Sequence, residues 1–186
     1  MRKFKCLSVL LIALAVGATT LMNVSPAAAA SAAEIERNVN SAVQKLAAKN
    51  PWTKELAEKA KGVLIFPNVV KGGFMVGGQF GEGALRKEGK TVAYYNTVSA
   101  SYGLQAGLQR YGYALFFMTD SALAYLDRSD GWELGTGPSV VVMDKGMAGG
   151  ITTTTATADV YAFFFDQEGL MAGLGLHGTK ITRIKK

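Results

Sequence analysis

The chain has 186 residues, a formal net charge of +6, one cysteine and one histidine, and 49% of its residues are hydrophobic. That length buries enough surface to fold without covalent staples. A lone Cys6 excludes a disulfide framework, a lone His177 excludes a histidine-based metal cluster, and the modest, scattered positive charge argues against a nucleic-acid partner.

Residues 1–30 read as a cleaved secretory signal peptide. Arg2, Lys3 and Lys5 make a basic start, residues 7–16 an apolar centre and residues 25–33 a small-residue region. Cleavage suits the positions after Ala28, Ala30 or Ala33. The apolar run is short of the ~20 residues that span a bilayer. Cys6 precedes that run, so it leaves with the leader instead of becoming the acylated N-terminus of a lipoprotein. Three basic residues leave as well, and +6 falls to +3. The expected location is the periplasm or cell envelope, or outside the cell. Residues 31–186 are expected to form a single domain.

Ile35, Val39, Ala42, Val43 and Leu46 recur at helical spacing and predict a first helix, with Ser31 and Glu34 at capping-box spacing. Asn50 and Pro51 end it and start a second helix, whose inner face carries Leu56 and Ala60 and which Gly62 closes. From Val63 onward the pattern is mostly strand. Residues 91–98 follow a turn at Glu88 and Gly89, and residues 113–118 read as a buried strand. Asp120 is placed to cap a short helix holding Ala122, Leu123, Tyr125 and Leu126. Further strands are expected over residues 139–143, 151–165 and 169–184.

Residues 61–83 read KGVLIFPNVVKGGFMVGGQFGEG. Gly73, Gly77, Gly81 and Gly83 share one parity and therefore bare one face of one strand. Gly103 and Gly107 repeat the device, as do Gly169, Gly173 and Gly175. Glycine weakens a strand unless a backbone approaches closely or the sheet bends sharply. The expected fold is α+β: a glycine-rich, strongly curved antiparallel sheet or small barrel-like core, covered by two N-terminal helices and one short mid-chain helix.

Catalytic constellations are missing from the sequence. It has no Gly-x-Ser-x-Gly elbow and no His-Glu-x-x-His motif. Gly173, Gly175 and Gly178 match Gly-x-Gly-x-x-Gly, but a strand pattern follows them where a dinucleotide site needs a helix. Glu82, Asp120, Asp127, Asp144, Asp159 and Asp166 are scattered and read as turns and solvated faces. No enzymatic activity, metal or cofactor is expected.

The glycine block, the later SASYGLQAGLQ and ALFFMTDSAL, and WELG at residues 132–135 resemble the SYLF domain family in order and spacing. The family is also called the lipid-binding SYLF or actin-binding domain family. The resemblance implies a non-catalytic lipid-binding module of the bacterial envelope, meeting anionic phospholipid through basic residues. Lys61, Lys71, Lys180, Arg183, Lys185 and Lys186 are the expected contacts. Actin enters as a partner by family analogy alone. The alternatives are a structural or protein-interaction scaffold with an envelope partner, and a hydrolase with an unrecognised site.

Overall fold

The structure is a computed structural model that describes residues 29–128, 131–143, 158–168 and 178–186, leaving aside the side chains of residues 74, 75 and 101–106. The signal-peptide reading, Cys6, Gly169, Gly173, Gly175 and His177 fall outside the described residues. Helix α1 (Ala32–Lys49) and helix α2 (Trp52–Lys59) precede strands β1 (Gly62–Lys87) and β2 (Lys90–Phe117). A short helix α3 (Asp120–Ala124) runs into a 3-10 turn, Tyr125–Asp127. Strands β3 (Trp132–Glu133), β4 (Val140–Met143), β5 (Val160–Glu168) and β6 (Lys180–Ile184) follow.

These strands make one strongly curled mixed sheet, a half-barrel, in the order β3-β6-β2-β5-β4, with β1 on the other side of β2. The expected α+β architecture and curved sheet are present. One pairing departs from the antiparallel expectation: β4 lies parallel to β5, Val140 opposite Val160. The stretches read as separate strands at residues 91–98 and 113–118 are parts of the single 28-residue β2. Its first part pairs β6, Tyr94 opposite Ile184, and its last part pairs β5, Phe117 opposite Val160. One strand therefore ties the sheet together.

Strand β1, 26 residues long, folds back over itself. A Cβ on Gly81 would lie 2.8 Å from Val69 Cγ2 and 2.9 Å from the Asn68 carbonyl oxygen. One on Gly83 would overlap the Ile65 carbonyl oxygen and come 2.7 Å from the Phe66 ring. Gly73 meets Gly77 at the bend, where the β1–β2 register shifts between Phe74 and Val76. Gly107, opposite Gly73, holds a φ of 150° that side chains avoid. The shared parity of Gly73, Gly77, Gly81 and Gly83 thus marks the face across which the two halves of one strand touch.

Alternation then builds two cores. Leu64, Phe66, Tyr113, Leu115 and Phe117 face the inside of the curl with Trp132 and Ile181. Ile65, Ala114, Phe116 and Phe163 face outward, under Ile35, Val39, Ala42 and Leu46 of α1 and Leu56 of α2. Burying each larger aliphatic chain contributes about 1.5–3 kcal/mol, so the stripe on α1 secures that helix. Ser31 caps α1 by accepting from the Glu34 amide at 3.2 Å. The short helix is capped one residue earlier than expected: the Thr119 hydroxyl, not Asp120, accepts from the Ala122 amide.

Gly83→Ala should lower the unfolding free energy by about 3 kcal/mol, because neither the Ile65 backbone nor the buried Phe66 can retreat. Gly78→Ala, whose Cβ meets only the Ser99 carbonyl at 3.4 Å, should change it by less than about 0.5 kcal/mol. Urea unfolding of both variants separates the fold-back from a generic glycine effect; equal losses would contradict it.

Candidate functional site

The fold-back brings the start of β1 against its own end. A Cβ on Gly62 would sit 3.2 Å from Leu85 Cδ1 and 3.5 Å from the Arg86 carbonyl. The β1–β2 turn, with Glu88 at φ 51° and Gly89 at φ 76°, therefore lies at the same end as the α2–β1 junction. The two helices roof this end incompletely. Between them and the sheet is a cavity of about 340 Å³, walled by Val43 and Leu46 of α1, Ala57 of α2, Val63 and Ile65 of β1, and Phe116 of β2.

Four charged residues border the cavity: Lys54, Glu58, Arg86 and Glu88. Three are exposed, whereas the Arg86 side chain is 15% exposed. Arg86 Nη2 donates to Asn40 Oδ1 at 2.7 Å and Glu36 Oε2 at 3.2 Å. Its Nε is buried and has no hydrogen-bond partner among the described residues. Burial works to raise the Glu36 carboxyl, but the Thr91 and Tyr94 hydroxyls and the Arg86 guanidinium more than offset this and hold it below the ordinary range. Burial and the Glu36 charge together push the Tyr94 hydroxyl up.

A second, polar cavity of about 290 Å³ lies along the middle of α1, beside Asn38, Ser41 and Lys45, and is bordered also by Arg110, Asp166 and Glu168. Asp166 adopts φ 49° and accepts from Lys49 at 2.7 Å and Lys45 at 3.1 Å. The Lys49 hydrogen bond is the main cause that lowers the Asp166 carboxyl; burial opposes it, and Lys45 and the charge of both lysines add to it. Among the described residues, no three His, Cys, Asp or Glu side chains gather as a metal site, and no helix is long and apolar enough to cross a membrane.

The six expected basic contacts separate in space. Lys61 is exposed, with Asp120 at 4.0 Å. Lys180 and Lys185 are exposed, and Arg183 is exposed beside Asp127 at 3.2 Å. Lys180 and Arg183 take opposite faces of β6, because strand side chains alternate. Lys71 is buried, at 9%, and engaged within the protein. Lys186 has a side chain 10% exposed and donates to Glu82 Oε1 at 2.8 Å and to the Ala30 carbonyl at 2.7 Å. Glu82 in turn accepts from the Ala30 amide at 2.8 Å, so this pair clamps the entry to α1. The side chains of Lys71 and Lys186 are thus largely withdrawn from solvent.

Sequence reasoning missed the cavity. Its signal was Ala47, Ala57 and Ala60, small residues where larger ones would close the gap between helices and sheet. The interior of the curl also carries polar groups. Tyr111 donates to Gln79 Oε1 at 2.6 Å, and Gln79 donates to Thr179 Oγ1 at 3.1 Å. Burial pushes the Tyr111 hydroxyl up to about 12.

Residues 98–186 match the Ysc84 family model, described as "Las17-binding protein actin regulator". Over that stretch, just under half of the chain, the sequence is similar to the Ysc84, or SYLF, family, in keeping with the block order. The family is generally non-catalytic. No curated protein matches the chain.

Asp166→Asn keeps a residue that tolerates positive φ while removing the charge. Both lysines are more than half exposed, so the pair is worth about 0.2–1 kcal/mol. The folded carboxyl lies below its ordinary 3.8, so this stability is present above that value and is lost as pH falls through the lower folded one. Wild type should exceed the variant in urea at pH 7, and the gap should close at more acid pH. A gap that persists in acid would contradict the ion-pair account.

Proposed function

We propose that the protein is a non-catalytic lipid-binding module of the bacterial cell envelope, exported by its leader-like first thirty residues. It meets anionic phospholipid with the end of the molecule that holds the cavity mouth. The carrying observation is that the fold-back gathers Lys54, Lys59, Lys61, Lys87 and Lys90, all exposed, at that end. Glu58 and Glu88 interleave with them, so attraction to a charged surface is moderate and short-ranged. The match of residues 98–186 to the Ysc84, or SYLF, family model supports the lipid reading. The exposed Lys180 and Lys185 are secondary contacts.

A second reading is an interaction scaffold with a protein partner, as the family's description as an actin regulator suggests. Val76, Phe80, Val98 and Leu108 favour it: all four are exposed on the long ribbon, and Phe80 sits opposite Val98. Exposed apolar groups gathered on a strand pair mark contact surfaces more often than solvated ones.

Sedimentation with vesicles tests the first reading. Binding should require anionic lipid and weaken with salt. Each basic residue near such a surface contributes about 1 kcal/mol, so Lys59→Glu/Lys61→Glu/Lys87→Glu should lose roughly 100-fold in partitioning. Equal sedimentation with zwitterionic vesicles, or an unaffected triple variant, would overturn it.

A further inference from the structure

The geometry points to the cavity between α1, α2 and β1 as a binding site for a single alkyl chain that ends in a carboxylate, with Arg86 as the residue that recognises the head. This goes beyond attraction to a membrane surface and does not depend on it. The volume, about 340 Å³, falls in the range of small-molecule sites. Val43, Leu46, Val63, Ile65 and Phe116 make the cavity walls predominantly apolar, which suits an alkyl chain better than a sugar or nucleotide.

The head-group assignment rests on Arg86. Among the charged residues at the cavity it alone is largely buried, so water and salt screen it least. Its Nη2 is already committed to Glu36 and Asn40, and that pairing fixes the guanidinium plane. Nε–H is left buried without an acceptor. An unmade hydrogen bond at a buried guanidinium is costly, and a ligand oxygen is the group that repairs it. A carboxylate supplies an acceptor with no donor to leave unpaired. The remaining titratable groups at the site are Lys54, Glu58 and Glu88, all exposed at the rim, and Glu36 behind Arg86. The first three meet bulk water and set the mouth, not the depth, of the site.

The walls also explain how a chain would enter. Ala57 is exposed at the rim and Ala47 half-buried, so the opening runs between two small residues on facing helices. Helix α2 is anchored at its start by Trp52 against Phe163 and by Thr53 and Leu56, whereas Ala57, Glu58 and Lys59 are exposed, so its last turn is the part that opens at low cost.

Titration calorimetry of the full chain with dodecanoate, below its micellar concentration, tests the site. Saturable binding of one chain per protein is expected, with a negative heat-capacity change from apolar burial. Ala57→Phe and Ala47→Phe should abolish it while leaving the melting transition in place. Arg86→Gln should weaken dodecanoate by roughly tenfold, the scale of one charge-assisted hydrogen bond, and bring it level with methyl dodecanoate. Absence of binding, or full binding by the two phenylalanine variants, would overturn the site. Equal wild-type affinity for dodecanoate and its methyl ester would overturn the role of Arg86. The vesicle experiment reads a different surface: dodecanoate binding without sedimentation keeps this inference and removes the proposed function, and sedimentation without dodecanoate binding does the reverse.

Discussion

The contact on which the rest of the structure depends is the one β1 makes with itself. At Gly81 and Gly83 the strand presents bare backbone, and residues 65–69 of the same strand lie against it. An extended strand of 26 residues would span roughly 85 Å and could not belong to a domain of this size. Folding it over solves the length problem and creates an interior between its two halves. It also sets where everything else falls. The start of β1 and the β1–β2 turn reach the same end, so lysines distant in sequence share a surface there, and the helices that roof this end leave a cavity.

The polar ties follow from the same arrangement. Helix α1 crosses the outer face of the sheet, and its two ends are fastened differently. At the N-terminus Ser31 caps the helix while Glu82 and Lys186 hold Ala30 by both its amide and its carbonyl. Toward the C-terminus Lys45 and Lys49 reach Asp166 on β5. Between them Arg86 meets Glu36 and Asn40. The apolar stripe supplies most of the binding energy of α1, and these contacts set its register over the sheet. Helix α2 is held to the sheet at its start, where the Trp52 ring lies 4.4 Å from that of Phe163, and by Leu56; its later residues form the more lightly anchored wall of the cavity.

Much of this was legible in the residues, and for identifiable reasons. The parity of Gly73, Gly77, Gly81 and Gly83 announced a face without side chains, and the structure puts a backbone there. The stripe on α1 and the Ser31 cap were equally readable, because helical period and capping are local. What failed was long-range. Nothing local says that residues 91–98 and 113–118 belong to one strand, since a strand that bends interrupts its own alternation. The parallel β4–β5 pair depends on which edge of the sheet was free. The burial of Lys71 and of the Lys186 side chain was not readable either, because a lysine in sequence carries no mark of the Glu82 or the neighbouring strands that will receive it. Nothing local marks Arg86 as the residue that packs beneath α1. The cavity is a property of two helices and a sheet meeting, and only its small residues were visible beforehand.

The central claim is a contact between residues 12 and 17 apart in one strand, and nuclear Overhauser effects read it without perturbing the protein. The account predicts strong cross-peaks from the Gly83 Hα protons to the Phe66 ring and from the Gly81 Hα protons to the Val69 methyl groups. Peaks confined to the cross-strand partners of those glycines on β2, with none reaching Phe66 or Val69, would contradict it.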